Sequence, residues 1–263
     1  MEVKNKVIWI TGASSGIGEA LCYKLNQAGT KLIISSRSSE GLYQVKSKCT
    51  KNQLDVHVLP LDLENTPDLE DKAKAALKIF GRIDIIIHSG GVSQRSLAMD
   101  TELDVAKKIM NINFWGTVVL TQAILPTMIS NQSGHIVIIS SLVGKFGTKF
   151  RSAYSASKHA LHGYFDSLRS EIDPKIGISI ICPGFIKTNV TLNALTANGT
   201  RQNTMDHAQA NGMSADECAA QILRAIKSGK EEVYIGGKEK YAVLLKRFLP
   251  GVFSKIVRKA KVT

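Results

Sequence analysis

Short apolar runs recur along the chain and alternate with longer segments of helical periodicity. The apolar runs are rich in Val, Ile and Leu and predict strands at 7–10, 31–36, 56–61, 83–88, 135–140, 176–182 and 232–235. Between them, apolar residues repeat every three or four positions, and this spacing predicts helices, most clearly at 69–80, 106–124, 153–171 and 215–227. Apolar strands that alternate with helices are typical of an α/β fold with a doubly wound parallel sheet.

Length and composition fit one globular domain. The chain has 263 residues, of which 44% are hydrophobic and 21% charged, and this is enough for a large core. No uninterrupted apolar run approaches the roughly 18 residues that span a bilayer, and the run 7–10 is too short for a signal peptide. Four scattered cysteines without a C-x-x-C pair predict reduced thiols and no metal site. We therefore expect a cytoplasmic protein.

Tyr154 and Lys158 lie four residues apart in the predicted helix 153–171, and hence on one face of it. A phenol with a pKa of about 10 is a poor acid at neutral pH, and a neighbouring ammonium group lowers that pKa. Ser141 follows the apolar run 135–140, which places its hydroxyl at the carboxyl end of a strand, where open α/β sheets bind ligands. The three residues therefore predict a site in which the Ser141 hydroxyl holds a carbonyl oxygen and the Tyr154 phenol, assisted by Lys158, protonates it.

A glycine-rich turn, Thr11-Gly12-x-x-x-Gly16-Ile17-Gly18, directly follows the first predicted strand. Its glycines permit a tight turn and the close approach of a pyrophosphate, whose charge is stabilised by the N-terminus of the next helix. The spacing G-x-x-x-G-x-G differs from the commoner G-x-G-x-x-G. The position after the first strand nevertheless indicates a dinucleotide site.

The residues after the second predicted strand bear on the choice of dinucleotide. NAD-binding folds place an acidic residue there for the ribose 2′-hydroxyl, whereas this chain has Ser36 and Arg37. An arginine pairs with a 2′-phosphate through charge-assisted hydrogen bonds, so the sequence favours NADP(H). The alternative is a solvated surface arginine. Glu40 lies beyond the turn and is expected to begin the next helix.

Several motifs in this order resemble the classical short-chain dehydrogenase/reductase family. They are the glycine turn, Asn113-x-x-Gly116, Ser141, Tyr154-x-x-x-Lys158 and Pro183-Gly184, and the resemblance covers about residues 4–236. Segments 91–101, 113–118 and 156–161 are similar to the dehydrogenase/reductase member 7 branch. The resemblance implies a Rossmann-type fold, with residues 1–237 as the catalytic domain. It also implies an NADPH-dependent reductase of lipophilic ketones or aldehydes, such as steroids, retinals and quinones.

The resemblance also implies roles for individual residues. Lys158 would hold the nicotinamide ribose and lower the pKa of Tyr154, Ser141 would bind the substrate carbonyl, and Asn113 would hold a water in a proton relay. Family spacing favours Asn113 and Ser141 over the neighbouring Asn111 and Ser140. The implied cofactor-binding residues are Gly12, Ser14, Ser15, Gly16, Ile17, Gly18, Ser36, Arg37, Asp62, Leu63, Ser89, Gly90, Gly91, Tyr154, Lys158, Pro183, Gly184, Ile186 and Thr188.

The chain departs from the family pattern after the fourth predicted strand. The family usually has Asn-Asn-Ala-Gly where this chain has His88-Ser89-Gly90-Gly91. His88 is interpreted either as a hydrogen-bonded core histidine or as a pH-sensitive element beside the cofactor.

Two segments bear on partners. The net charge is +12, and positions 238, 240, 246, 247, 255, 258, 259 and 261 of the C-terminal extension 238–263 are basic. Tyr241, Leu244, Leu245 and Phe248 have the spacing of an apolar helix face, so this extension is expected to lie on an anionic membrane or to pack on the domain or a partner subunit. Segment 188–213 resembles the family's mobile substrate lid.

The family often forms homodimers or homotetramers through helices such as 106–124 and 153–171, and we expect the same here. Nothing in the sequence indicates nucleic-acid binding. Two alternative functions stay open. One is a 3-oxoacyl-(acyl carrier protein) reductase that docks its carrier on Lys145, Lys149 and Arg151. The other is a sensor that binds NADPH without turnover.

Overall fold

A seven-stranded parallel sheet forms the centre of the protein in a computed structural model that describes residues 1–260. Lys261, one of the basic positions of the predicted C-terminal extension, lies outside the described residues. The strands of the sheet are β1 (Val7–Thr11), β2 (Lys31–Ser35), β3 (Val56–Val58), β4 (Ile85–His88), β5 (Gly134–Ile139), β6 (Ile176–Pro183) and β9 (Glu232–Ile235). A short parallel pair, β7 (Ile186–Lys187) and β8 (Met213–Ser214), lies beside it. The order β3-β2-β1-β4-β5-β6-β9 reverses direction between β1 and β4, which is where such sheets form a ligand crevice.

Helices cover both faces of the sheet. They are α1 (Gly16–Gln27), α2 (Ser39–Ser47), α3 (Leu69–Phe80), α4 (Leu103–Met110), α5 (Gly116–Ser130), α6 (Ser152–Glu171), α7 (His207–Ala210), α8 (Ala215–Ser228), α9 (Ala242–Phe248) and α10 (Pro250–Lys259). Successive residues of a strand point to opposite faces, so Ile8 and Ile10 belong to one hydrophobic core and Trp9 to the other. The predicted doubly wound α/β fold is therefore confirmed.

Two element boundaries differ from the prediction. Strand β3 ends at Val58 rather than at residue 61, although the amides of Leu59 and Leu61 still donate to the carbonyls of Ile34 and Ser36. Pro60 lies between them on the open edge of the sheet, where its missing amide proton costs no hydrogen bond to β2. The helix predicted at 106–124 runs from Leu103 to Ser130, through a π-helical turn at Asn111–Trp115 and past Pro126. Burial of Met128 beyond the proline offsets the hydrogen bond that the proline removes.

Within the described residues, one helical stretch is long and apolar enough to cross a bilayer, namely 103–130. The sequence shows no uninterrupted apolar run there because polar residues such as Asn113 and Thr117 are interspersed. About half of its most apolar window is buried inside the protein, and α5 packs against α3. These contacts are those of a core helix.

The C-terminal helices pack on the domain through one face. Phe253 of α10 is almost fully buried, and its ring centroid lies 5.3 Å from that of Phe146 in an edge-to-face arrangement. The chain turns between α9 and α10 at Pro250, which occupies the first position of α10, where its missing amide proton costs nothing.

Candidate active site

A cleft of about 830 Å³ lies at the carboxyl ends of the central strands, beside the reversal between β1 and β4. Except for Gly18, the residues predicted to bind the cofactor line this cleft. They are Gly12, Ser14, Ser15, Gly16, Ile17, Ser36, Arg37, Asp62, Leu63, Ser89, Gly90, Gly91, Tyr154, Lys158, Pro183, Gly184, Ile186 and Thr188. The fold thus brings the separate sequence motifs to one place.

The glycines of the turn after β1 are required for two different reasons. Gly12 and Gly16 have left-handed φ angles of +67° and +60°, and a Cβ on Gly12 would lie 2.6 Å from the backbone of Gly90. A Cβ on Gly18 would lie 2.2 Å from the Gly12 carbonyl oxygen, so Gly18 lets α1 pack against the turn and does not line the cleft. The resulting cradle at the N-terminus of α1 fits a pyrophosphate, because the first amides of a helix have no intrahelical partner.

The rim beyond β2 carries the residues that the sequence connects with NADP(H). Arg37 is exposed and lines the cleft. Ser38 caps α2, since its hydroxyl accepts a hydrogen bond from the Gly41 amide at 3.1 Å. Glu40 lies in the first turn of α2, as predicted, and accepts a hydrogen bond from Gln44. The charged side chain at the rim after β2 is therefore a cation.

The three side chains predicted to act on a carbonyl group all reach the cleft. The Lys158 Nζ lies 5.8 Å from the centroid of the Tyr154 ring and donates a hydrogen bond to the Ile139 carbonyl at 2.9 Å. The Ser141 hydroxyl lies just beyond β5, donates to the Pro183 carbonyl at 3.4 Å and accepts from the Val143 amide at 3.3 Å. The loop after β5 and the first turns of α6 hold the three groups together.

Burial governs the ionisation of this group of residues. It lowers the pKa of Lys158 to about 8 and raises the pKa of Tyr154. A hydrogen bond with Ser141 and the positive charges of Arg95 and Arg151 oppose the rise of the Tyr154 pKa. The sequence pointed to Lys158 for this effect and did not point to Arg95 or Arg151. The ammonium of Lys158 donates to a backbone carbonyl, and its effect on the Tyr154 pKa stays a prediction.

The structure separates Ser141 from its neighbour Ser140. The Ser140 hydroxyl lies 3.1 Å from His162 Nε2 and 3.5 Å from the Lys158 carbonyl, so it packs under α6. Adjacent residues of an extended segment point in opposite directions, and Ser141 consequently faces Tyr154. This geometry agrees with the choice of Ser141.

Asn113 lies in the π-helical turn and is buried. Its side-chain carbonyl accepts a hydrogen bond from the Val92 amide at 2.8 Å, and its Nδ2 donates to the Val92 carbonyl and the Ser157 hydroxyl, each at 2.9 Å. The side chain therefore ties the segment after β4 to α6 next to Lys158. The water-holding role implied by the family stays a prediction.

His88 is a core residue. Its Nε2 lies 3.0 Å from the Thr121 hydroxyl, and burial lowers the pKa of His88 to about 3. The ring therefore stays neutral over the physiological range, and this favours the core interpretation over the pH-sensitive element.

Sequence reasoning missed a buried ionic cluster beside Tyr154. One carboxylate oxygen of Asp206, in the predicted lid 188–213, accepts hydrogen bonds from Arg95 Nε at 2.9 Å, Arg95 Nη2 at 2.5 Å and Arg151 Nη2 at 3.0 Å. All three side chains are at most 7% exposed. Segment 91–101, which carries the resemblance to the member 7 branch, contains Arg95 and could have directed attention to it. Only the fold shows that Asp206 contacts this segment.

This cluster corrects the docking surface of the carrier-protein alternative. Arg151 is buried against Asp206, and Lys145 pairs with Glu232 at 2.6 Å, so neither is the solvated docking cation that the alternative requires. Lys149 is exposed. One exposed lysine is a weak attraction for an acidic carrier protein.

The C-terminal extension contributes to the cleft. Glu239 accepts hydrogen bonds from the amides of Gly237 at 3.0 Å and Phe185 at 3.4 Å, next to the Pro183-Gly184 segment. Phe253 and Ile256 of the extension add apolar surface beside Phe146 of the loop after β5. The sequence did not place this extension at the site.

Comparison with known proteins agrees with these motifs. A family model described as short chain dehydrogenase matches residues 6–199. The chain is 42% identical over 240 residues to human dehydrogenase/reductase SDR family member 7, covering 89% of this chain and 71% of that protein. It is 38% identical over 259 residues to member 7B of Xenopus tropicalis, covering 95% and 84%.

Solved structures share the fold at low sequence identity. A short-chain dehydrogenase/reductase from Burkholderia phymatum in complex with NAD has a TM-score of 0.85 at 21% identity, over 100% of this chain and 98% of that one. A short-chain dehydrogenase from Burkholderia cenocepacia in complex with NADP has a TM-score of 0.80 at 20% identity, over 99% and 100%. The same fold therefore accommodates either dinucleotide.

Proposed function

The chain belongs to the short-chain dehydrogenase/reductase family, in its member 7 branch, and on that premise we propose that it is an NADPH-dependent reductase of lipophilic ketones or aldehydes. The observation that carries the proposal is the convergence of Ser141, Tyr154 and Lys158 on one cleft that also contains the glycine cradle. The proposed product is an alcohol.

In this mechanism the chain binds the dinucleotide, orients the carbonyl group and delivers a proton. The glycine turn, Arg37 and Lys158 would hold NADPH, which supplies the hydride when bound. Ser141 donates a hydrogen bond to the carbonyl oxygen and so fixes its position. Tyr154 donates its phenolic proton to the same oxygen as negative charge develops there.

The lining of the cleft supports a lipophilic substrate. Beyond Ser141 and Tyr154 the wall includes Phe146, Phe253 and Ile256, and such surface gains free energy when it covers a hydrocarbon skeleton. Positively charged Arg37 at the rim supports NADPH over NADH.

A spectrophotometric assay tests the proposal. Loss of reduced-nicotinamide absorbance is followed with NADPH or NADH and a panel of hydrophobic carbonyls, for the wild type and Tyr154→Phe. We expect NADPH-selective turnover that falls at least about 100-fold in the variant. Tight NADPH binding without turnover on any carbonyl would favour the sensor, and turnover restricted to carrier-linked acyl chains would favour the carrier-protein reductase.

We also propose that the protein assembles as a homodimer or homotetramer and that residues 238–263 associate with an anionic membrane surface. Six large apolar side chains between residues 241 and 256 are about half or more exposed, and they are Tyr241, Leu244, Phe248, Leu249, Val252 and Ile256. Basic residues are interspersed with them along the same segment. An apolar surface edged by cations complements anionic headgroups.

A further inference from the structure

A buried glutamine holds the start of the helix that carries Tyr154. The Oε1 of Gln94 accepts hydrogen bonds from the backbone amides of Ala153 at 2.7 Å and Tyr154 at 3.2 Å. These are the second and third amides of α6, which have no partner within the helix. The N-cap residue usually satisfies such amides, but among the described residues Arg151 makes no side-chain cap at this end of α6. Gln94 therefore performs the capping from another loop.

Gln94 is itself fixed at its other end. Its side chain is fully buried, and its Nε2 donates hydrogen bonds to the hydroxyls of Thr101 at 2.8 Å and Ser96 at 3.1 Å. An amide held at both ends has little rotational freedom. The backbone of Tyr154 is consequently fixed relative to the segment after β4.

The residue after Gln94 connects the same helical turn to the lid. Arg95 and Arg151 both bind the lid residue Asp206. Backbone hydrogen bonds reinforce the contact, since the Arg95 amide donates to the Leu195 carbonyl at 2.8 Å and the Leu195 amide donates to the Ser93 carbonyl at 2.9 Å. Segment 93–95 therefore contacts both the lid and the start of α6.

We propose that Gln94 and Asp206 are positioning residues for the reaction proposed above. Gln94 fixes the backbone of Tyr154 by capping α6, and Asp206 fastens the lid over the same turn by binding Arg95 and Arg151. The kinetic consequences rest on the proposed function. The acid and the closed lid are held by one continuous set of contacts, so closure of the lid and correct placement of the phenol occur together.

The charges around Tyr154 give this arrangement an electrostatic consequence. They are Arg95 from the segment after β4, Arg151 before α6, Lys158 one turn along α6 and Asp206 from the lid. Neutralising Asp206 leaves both arginines uncompensated, and the additional positive charge favours the phenolate. The phenol then loses its proton at a lower pH.

The first experiment compares Gln94→Met, Gln94→Glu and the remote, exposed control Gln27→Met. The methionine removes the acceptor and keeps the length of the side chain, whereas the glutamate keeps an acceptor. We expect kcat of Gln94→Met to fall about 10- to 100-fold with an unchanged KM for NADPH, because a small displacement of the acid is costly. Gln94→Glu is expected to recover most of kcat. Hydrogen exchange at the backbone amides of residues 153 and 154 is expected to become faster in Gln94→Met.

The second experiment uses Asp206→Asn. We expect KM for the carbonyl to rise about tenfold and the alkaline limb of kcat/KM to move to lower pH by about one unit. Proteolysis within 188–213 is expected to become faster.

Three results would overturn the inference, and the first two do not depend on the proposed function. Unchanged exchange at residues 153 and 154 in Gln94→Met excludes the capping role even if the wild type reduces no carbonyl. Unchanged proteolysis within 188–213 in Asp206→Asn excludes the fastening of the lid in the same way. If the wild type is active and loses activity in Tyr154→Phe, equal kcat in Gln94→Met and wild type excludes positioning and leaves the reductase intact.

Discussion

At the level of single side chains, burial decides how the ionisable groups around the cleft behave. Lys158 and His88 lose part of their affinity for protons because desolvation penalises their charged forms. Arg37, by contrast, is exposed at the rim and keeps its full freedom to pair with a phosphate. Burial therefore acts in the same direction on a core histidine and on a lysine of the cleft, whereas the arginine at the rim stays solvated.

Replacement of His88 by the family's asparagine is expected to change the pH dependence of stability. The pKa of His88 is about 3 in the folded protein, below its ordinary value of 6.5, so the unfolded chain binds more protons between these values. Stability from the neutral ring is complete above pH 6.5 and is lost as the pH falls toward 3. We expect His88→Asn to reduce the slope of unfolding free energy against pH by about 1.4 kcal/mol per unit between pH 6 and 4.

Chemical denaturation at a series of pH values measures this slope. Thr121→Val is the matched control, since it removes the hydrogen-bond partner of the ring and leaves the ring buried. It is expected to lower stability and keep the slope. Equal slopes in His88→Asn and wild type would show that His88 is not the group responsible.

Arg37→Ala is expected to weaken the binding of NADPH more than the binding of NADH. Loss of a charge-assisted hydrogen bond to a phosphate costs about 1.5–3 kcal/mol, so KM for NADPH should rise about 10- to 100-fold while KM for NADH changes little. Initial-rate kinetics with both cofactors measure the difference, with the exposed Arg224→Ala of α8 as control. An equal rise of KM for NADPH and for NADH would show that Arg37 attracts both cofactors by its charge and does not bind the 2′-phosphate specifically.

At the level of elements, α9 and α10 depend on few buried contacts. Among the described residues of α9 and α10, Phe253 is the one buried apolar residue, and Ala242, Val243, Leu245 and Val257 are partly buried against the same core. Phe248 is 70% exposed. Strands β1, β4 and β5, in contrast, are buried on both faces. Segments with few buried apolar contacts open locally at a lower free energy than the core of a protein.

Phe253→Ala is expected to release this extension before the sheet unfolds. Removal of a buried phenylalanine costs about 3 kcal/mol, and here the loss falls on α9 and α10. Hydrogen exchange should accelerate more than tenfold in residues 242–259 and stay unchanged in β1 and β5. Phe248→Ala, on the exposed face, is the control and should have little effect. Equal acceleration in the sheet would mean that the extension unfolds only together with the domain.

At the level of the whole molecule, the distribution of charge matters more than its sum. The net charge is +12, and the C-terminal extension holds a large share of it next to exposed apolar side chains. Phe253, Ile256 and Val257 of α10 also line the cleft. One element thus lies between the proposed membrane surface and the proposed substrate site.

Sedimentation with vesicles tests the membrane proposal. We expect binding to vesicles that contain anionic lipid, weaker binding at 0.5 M salt because charge attraction is screened, and little binding to neutral vesicles. Leu244→Glu combined with Phe248→Glu should abolish binding, whereas Leu54→Glu, at a remote site that is 90% exposed, should not. Binding that persists in the double variant would show that this apolar face is not the membrane-binding surface.

The sequence alone determined the features that depend on local pattern. Apolar runs separated by helical periodicity predicted the parallel sheet, because strands buried on both faces need continuous apolar residues. The motif order predicted the family, and the glycine turn, Ser141, Tyr154 and Lys158 were each identified before their geometry was known. The apolar pattern extended β3 to residue 61, whereas the strand ends at Val58.

Only the tertiary structure decided which distant residues meet. Gln94, Arg95, Arg151 and Asp206 are separated by up to about half the chain, and no periodicity or spacing relates Asp206 to Tyr154. No sequence pattern predicted the contact of Phe146 with Phe253 either. Nor did one predict that Arg95 and Arg151 place positive charge beside Tyr154. Hydrogen bonds and ion pairs between loops follow from the closure of the whole fold, whereas hydrophobic pattern and turn chemistry act between near neighbours along the chain.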